Sequence, residues 1–205
     1  MKKIISIAAI AAGLTLSSCG TTGTGGSILN NVLGGGALTN ILYDVIGANS
    51  LAESELIGTW NYVAPGCAFT TENALAKAGG HVISAEVVSK LTPTYTSLGI
   101  ARGNTQFVFK EDKTFTAKLG GKAISGKYAY DANSHTIALS TALGLGNISG
   151  FVSRSANGMT LTFESKKLLT IVQLLGAASG NTSIAVISEL ASNYDGIRLG
   201  FDLAR

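Results

Sequence analysis

Residues 105–119 read TQFVFKEDKTFTAKL, two alternating runs separated by the charged triplet Glu111-Asp112-Lys113. Phe107 and Phe109 lie on one face of the first run, and Phe115 begins the apolar face of the second. A period of two is typical of a half-buried β-strand, and a short polar break between two such runs indicates a tight turn. The segment therefore predicts an antiparallel hairpin with one apolar face.

Four further runs with a period of two follow the hairpin and predict a strand meander. They cover residues 123–130, 136–141, 147–154 and 159–164. Polar or glycine-containing turns separate them, among them Asn157-Gly158, a pair that supplies the positive backbone angles of a hairpin turn. The last segment, residues 197–203, also alternates, and we expect it to pair with the first strand of the domain.

The first strand is expected over residues 56–63, which alternate in the same way. A helix should follow this strand, capped by Thr70 or Thr71 and running to Leu91, because Pro93 stops it. An insertion of this length can cover one end of a sheet and act as a lid.

Two short apolar helices are predicted before the last strand. Ser165 caps the first, from about residue 166 to 175, and Thr182 caps the second, from about 183 to 193. Isolated helices of this length are marginal in water, so burial against a sheet must stabilise them. If these helices bound a partner instead, they would present an exposed apolar patch.

These elements predict a mainly β fold: an antiparallel up-and-down β-barrel of about eight strands, with a helical insertion after strand 1 and two short helices before the last strand. The large side chains of the strand faces would point inward. They are Trp60, Phe107, Phe109, Phe115, Tyr128, Tyr130, Phe163, Leu199 and Phe201. Two interpretations stay open: the side chains line a cavity for one small apolar or amphipathic ligand, or they fill the barrel. Tyr128 and Tyr130 are the best candidates for a polar contact with a ligand, because a phenol is amphipathic.

The N-terminus has the organisation of a lipoprotein signal peptide. Lys2 and Lys3 precede an apolar run from Ile4 to Leu16, and Ser17-Ser18 come directly before Cys19. The Leu-Ser-Ser-Cys sequence resembles the lipobox of bacterial lipoproteins, in which the cysteine is acylated and becomes the first residue. An N-terminal transmembrane helix would need roughly 20 apolar residues. A secretory signal with an incidental cysteine is the other alternative.

The composition divides the chain into four parts. Residues 1–18 are expected to be removed, residues 19–27 form a flexible Gly/Thr tether, and residues 28–54 form two short helices with a glycine break. Residues 55–205 form the barrel domain. Loss of the two N-terminal lysines leaves 13 basic side chains against 12 acidic ones, and this balance offers no basic stripe for binding nucleic acid.

The sequence contains few residues of the types that usually act in catalysis or bind metals. After acylation of Cys19 the chain has one cysteine, Cys67, and two histidines, His81 and His135, in segments predicted as helix and turn. We expect Cys67 to be a small buried apolar residue rather than a nucleophile. Without clustered ligands or a nucleophile and base in a recognisable arrangement, the sequence predicts no metal, no cofactor and no enzyme activity.

The stretch Gly58-Thr59-Trp60 resembles the Gly-x-Trp signature of lipocalins and related calycin barrels, in which the tryptophan plugs the closed end. Together with the hairpin, the meander and the segment from Trp60 to Phe69, residues 55–205 resemble an uncharacterised family of lipocalin-like lipoproteins from Gram-negative anaerobes. The resemblance implies a barrel with helical additions. Because the family is a domain of unknown function, it transfers no catalytic or binding residue.

The predicted location is the cell envelope, with the membrane as partner through acylated Cys19. In lipoproteins of such organisms an acidic run after the lipidated cysteine resembles a surface-export signal, and Gly20-Thr21-Thr22-Gly23 has none. The sequence therefore favours the outer membrane with the domain facing the periplasm. Two kinds of further partner stay open, a small apolar ligand and another envelope protein.

Overall fold

The computed structural model describes residues 42–43, 50–70, 81–141, 147–156, 158–175 and 181–205. The helices of this part of the chain are α1 (Glu53–Leu56), α2 (His81–Ser97), α3 (Ser165–Leu175) and α4 (Asn181–Asn193). Its strands are β1 (Leu42–Tyr43), β2 (Gly58–Phe69), β3 (Gln106–Phe109), β4 (Thr114–Leu119), β5 (Lys122–Asp131), β6 (Thr136–Thr141), β7 (Asn147–Arg154), β8 (Gly158–Glu164) and β9 (Ile197–Ala204).

Strands β2 to β9 form a closed barrel of eight antiparallel strands. Each strand pairs with its neighbour in chain order, and β9 returns to pair with β2 from Phe69 opposite Ile197 to Asn61 opposite Ala204. The predicted barrel, its meander order and the pairing of the last strand with the first are therefore confirmed.

The predicted hairpin over residues 105–119 is present, with its apolar side chains on one face. Phe109 lies opposite Phe115, and Phe107 opposite Ala117, so the apolar side chains of both strands share the inner face. In the turn, the Asp112 carboxylate accepts a hydrogen bond from the Thr114 backbone N–H at 2.9 Å. The Thr114 hydroxyl donates to the same carboxylate at 2.6 Å. This hydroxyl first, and the backbone N–H second, hold the pKa of Asp112 below its usual range, and both bonds fix the start of β4.

Strand β2 is longer than predicted and reaches Phe69. It pairs with β3 only as far as Asn61, and a bulge between Tyr62 and Ala64 bends the rest of the strand along β9. Beyond that point β1 pairs with β2 in parallel. The prediction of short helices over residues 28–54 is thus wrong at Leu42–Tyr43, which are extended because the edge of β2 offers them backbone hydrogen bonds. Residues 28–41 and 44–49 lie outside the described residues.

Helix α2 does not end before Pro93 as predicted but continues to Ser97. The first part of the predicted helix, residues 71–80, lies outside the described residues. Proline removes one backbone donor, and the turns around it are held by side chains, since the hydroxyls of Thr92 and Thr96 donate to the carbonyls four residues earlier. The extra turn carries Tyr95 into the barrel.

The two helices before the last strand are confirmed, but Ser165 is not the cap of α3. It is the first residue of the helix, and its hydroxyl donates to the carbonyl of Ile197 at 3.3 Å, which ties α3 to the start of β9. The side chain of Thr182 lies outside the described residues. Leu168 and Val172 of α3 are buried in the same core as Ile187 of α4, as burial-driven helices require.

The barrel has two different ends. The closed end carries Trp60 and the β3–β4, β5–β6 and β7–β8 turns. The helical end carries the β4–β5 turn and the contacts to α2 and α3. Among the described residues, no helix has both the length and the apolar character needed to cross a bilayer.

Candidate functional site

The aromatic ring of Phe201 is the centre of the barrel interior at its helical half. Its centroid lies 5.4 Å from that of Phe107, 5.6 Å from Tyr95, 6.2 Å from Tyr62 and 6.4 Å from Phe163. The rings meet in tilted and edge-to-face arrangements, which are the favourable geometries for aromatic pairs. Four strands and one helix are thereby joined through one side chain.

A second group of rings fills the interior towards the closed end. Phe109 lies 5.2 Å from Tyr128 in an edge-to-face contact and 6.3 Å from Phe115. Phe107 connects the two groups, since its ring is stacked on that of Phe109 at 6.4 Å. The aromatic core is therefore continuous along the barrel.

All nine side chains predicted to face the interior belong to this core or pack against it. Eight are buried, and Tyr130 is partly buried. The buried ones are Trp60, Phe107, Phe109, Phe115, Tyr128, Phe163, Leu199 and Phe201. Their role as ligand-lining residues stays a prediction. Two further core residues, Tyr62 and Tyr95, were not predicted. Tyr62 could have been found, since the period of two places it on the same face as Trp60, whereas Tyr95 lies beyond the predicted end of its helix.

The hydroxyls of Tyr128 and Tyr130, predicted to contact a ligand, donate to backbone carbonyls within the chain. Tyr128 donates to Lys110 and Tyr130 to Leu51, each at 2.8 Å. Burial raises the pKa of both phenols above its usual value. Both hydroxyls thus hold the closed end together, and neither is directed at the helical end.

Trp60 occupies the closed end and is held on three sides. Its indole Nε1 donates to the carbonyl of Leu56 at 2.8 Å, and the Arg205 guanidinium lies over the ring, 4.8 Å from its centroid. Gly158 gives the third contact, because a Cβ there would lie 2.8 Å from the Trp60 ring. The glycine of the β7–β8 turn therefore allows close approach to the tryptophan.

A small cavity lies in the barrel interior at the helical end. Its free volume is about 30 Å³, far below the roughly 300 Å³ at which ligand pockets begin. The lining includes Phe115, Leu139 and Phe163 from the barrel and Ile171 from α3. The only oxygen-bearing side chain of the lining is that of Thr141, whose Oγ1 is buried without a hydrogen-bond partner. This cavity has room for about a water molecule or two.

The sequence profile described as "Lipocalin-like domain (DUF4923)" matches residues 29–205. This chain belongs to that family. The match spans the whole barrel together with its helices, in agreement with the resemblance found in the sequence. Neither the comparison with curated proteins nor the comparison with solved structures gave a significant match.

In this lipocalin-like domain a short segment before β2, which we call the strap (Leu51–Ile57), crosses the closed end. Glu53 forms an ion pair with Lys113 of the β3–β4 turn, and Glu55 pairs with Arg154 beside the β7–β8 turn at 2.7 Å. The hydrogen bond from Arg154 lowers the pKa of the Glu55 carboxyl group. The hydrogen bond to Glu53 raises the pKa of the Lys113 ammonium group. The strap thereby contacts hairpins from both sides of the barrel.

The reactive residues of the lipocalin-like domain are separated and enclosed. Burial raises the pKa of the Cys67 thiol to about 12, so Cys67 is the buried apolar residue that was predicted. His135 is buried in the β5–β6 turn at the closed end. Among the described residues, no three His, Cys, Asp or Glu side chains come together as a metal site.

Proposed function

We propose that this lipocalin-like domain is a lipid-anchored protein of the bacterial cell envelope whose barrel is a filled structural or protein-interaction body. The observation that carries the proposal is the small size of the cavity in the barrel interior, whose free volume is about 30 Å³. Ligand pockets of comparable barrels enclose most of a ligand surface and need roughly 300 Å³ or more. A barrel whose interior is filled by aromatic side chains instead holds the outward-facing side chains of its wall in fixed positions.

The anchoring part of the proposal is supported by the Leu16-Ser17-Ser18-Cys19 sequence and the basic and apolar residues before it. More than one acyl chain on Cys19 would give stable attachment, whereas a single chain is marginal. The absence of an acidic run after Cys19 supports the outer membrane, with the domain facing the periplasm.

The described side chains of α3 and α4 do not form a large exposed apolar patch. Among side chains of the described residues, Val82 of α2 is the one large apolar side chain that is strongly exposed. The exposed positions of α3 with described side chains are polar, namely Lys166, Lys167 and Gln173, and Leu169 and Thr170 are partly buried. A polar surface therefore suits the interaction better.

Binding of a small apolar or amphipathic molecule is the second candidate function. It is favoured by one observation, the apolar cavity that ends at the partnerless hydroxyl of Thr141. A buried hydroxyl without a partner is costly, and a ligand with one polar end would satisfy it. Such a ligand needs more room than 30 Å³ and thus a displacement of α3 at Ile171.

The proposal assigns no catalysis to the domain. The thiol of Cys67 stays protonated at neutral pH because burial raises its pKa to about 12. His135 lies in a turn at the closed end, whereas Cys67 packs against α2. A nucleophile and a base are therefore not brought together by these two residues.

Native mass spectrometry of the protein purified from its own envelope tests both halves of the proposal. We expect a mass with acyl chains on Cys19 and no retained small molecule. The Cys19→Ala variant should leave the membrane fraction, while the matched Cys67→Ala variant should stay in it. Recovery of unacylated protein in the soluble fraction would overturn the proposal that Cys19 anchors the protein. A small molecule bound in stoichiometric amount would overturn the proposal of a filled barrel and favour the second candidate function.

A further inference from the structure

A concave hollow of about 310 Å³ lies on the outer wall of β3, β4 and β5 near the helical end. We call it the outer hollow. Its lining has four polar side chains, those of Gln106, Thr116, Lys118 and Ser125, together with Gly121 of the β4–β5 turn and the apolar residues Val108, Ala117, Ala123 and Ile124. The four polar side chains alternate with inward-facing ones on each strand, so they project away from the barrel interior. Ala117 and Ile124 face inward and also line the interior cavity, so the outer hollow borders the barrel interior at this end.

The residues of the outer hollow are placed by strand register. Gln106 lies opposite Lys118 across β3 and β4, and Thr116 lies opposite Ser125 across β4 and β5. The amide Nε2 of Gln106 donates to the Asn61 side-chain oxygen on β2 at 2.8 Å, which fixes the orientation of the amide. An amide, two hydroxyls and an ammonium group are thus held side by side on a rigid sheet.

The charge of this wall has one sign. The outward side chains of β3 and β4, and those of β5 up to Ala129, include two lysines, Lys118 and Lys127, and no carboxylate. Neither lysine has an ion-pair partner among the described residues. By contrast, Lys90, Lys113 and Arg154 are paired with glutamates.

We propose that the outer hollow binds an acidic saccharide, a sugar chain that carries carboxylate or phosphate groups. The Lys118 ammonium group would pair with the anion, which is the stronger kind of hydrogen bond. The hydroxyls of Thr116 and Ser125 and the oriented amide of Gln106 would bind sugar hydroxyls. The space beside Gly121 is open, since a Cβ there would meet no atom within 4 Å.

The same wall is unsuited to an extended peptide. A peptide adds to a sheet through the free backbone groups of an edge strand. Strand β3 is paired with β2 and β4, and β4 with β3 and β5, so an edge is not offered at the outer hollow. Recognition must come from side chains, and those present are hydroxyls, an amide and an ammonium group beside the apolar side chains of Val108 and Ala123.

A glycan array tests this inference. It carries each acidic oligosaccharide beside its neutral counterpart, and the full-length protein is applied to it in neutral detergent. We expect retention of acidic sugars only, weakened by salt. The Lys118→Gln variant should lose about tenfold in affinity for the retained sugar, as expected for one hydrogen bond to a charged group. Lys127→Gln is the matched control on the same wall and should change affinity less than twofold.

A second variant, Thr116→Val with Ser125→Val, should also lower the affinity for the retained sugar while leaving the unfolding transition in place, because both side chains are exposed. Retention of neither class of sugar, or equal loss in Lys118→Gln and Lys127→Gln, would overturn the inference. The inference does not depend on acylation of Cys19, so its failure and a failure of the anchoring proposal give different results.

Discussion

The hydroxyl of Tyr95 donates a hydrogen bond to the carbonyl oxygen of Gly200, a residue 105 positions further along the chain, at 2.9 Å. Tyr95 belongs to α2 and is fully buried, and Gly200 belongs to the strand that closes the barrel. The bond therefore joins the helical insertion directly to the closing strand. It also explains why α2 continues past Pro93, since an end at that residue would leave Tyr95 outside the helix.

The first prediction concerns this bond. Tyr95→Phe keeps the ring contacts with Tyr62 and Phe201 but removes a buried hydrogen bond, so we expect a loss of about 0.5–1.5 kcal/mol in the free energy of unfolding. Urea unfolding followed by far-UV circular dichroism measures it. The control is Tyr194→Phe, because the Tyr194 ring is only partly buried. Equal effects of both substitutions would contradict the structural role of the Tyr95 hydroxyl.

The second prediction concerns the closed end. Arg205 covers the Trp60 ring and donates to the carbonyls of Glu55 and Ile57. Arg205→Ala should shift the emission of Trp60, the single tryptophan of the chain, to longer wavelength and lower the free energy of unfolding by about 1 kcal/mol. Arg154→Ala is the control, because Arg154 pairs with the Glu55 side chain and should leave the emission unchanged.

The third prediction separates two kinds of glycine. A Cβ at Gly200 would lie 2.0 Å from the Leu161 carbonyl oxygen, and one at Gly126 would lie 1.9 Å from that of Ser140. Gly200→Ala should therefore lower the free energy of unfolding by several kcal/mol or prevent folding, since backbone must move. At Gly121 the added Cβ meets nothing, and only the positive φ of 82° is strained, so Gly121→Ala should cost about 1 kcal/mol. In thermal unfolding, Gly200→Ala and Gly126→Ala should therefore lower the transition temperature much more than Gly121→Ala does.

The strands were predictable because they are set by local alternation. The runs 136–141 and 147–154 were predicted with the bounds of β6 and β7, and each has one face in the core. Burial of one face forces a period of two on the sequence. The inward position of Phe107, Phe115 and Phe163 followed from the same rule.

The parts that were wrong or missed depend on contacts between distant segments. The end of α2 is set by the packing of Tyr95 in the barrel and not by Pro93. The strap is a four-residue helix with flanking residues, and its position depends on ion pairs to turns about 60 and 99 residues away. Pairings at such separations leave no periodic pattern in the sequence, so composition and spacing could not place them.

The fourth prediction concerns pH. Arg154 lowers the pKa of Glu55 below the ordinary value of 4.5, so the ion pair contributes stability above that value and loses it as the pH falls through the lowered pKa. Unfolding by urea at a series of pH values between about 5 and 3 should show a steeper loss for the natural chain than for Arg154→Gln. Parallel slopes would mean that the strap is held without this pair.

The fifth prediction distinguishes the two candidate functions through Thr141. Its Oγ1 is buried without a partner beside the small cavity of the barrel interior. In a filled barrel that binds nothing, Thr141→Val removes an unsatisfied hydroxyl and should raise the free energy of unfolding by about 1 kcal/mol. Thr116→Val, on the exposed wall, is the matched control and should change it by less than about 0.5 kcal/mol. If Thr141→Val instead destabilises protein purified from its own envelope but not protein refolded from denaturant, a bound molecule that uses the hydroxyl is the explanation, and the second candidate replaces the first.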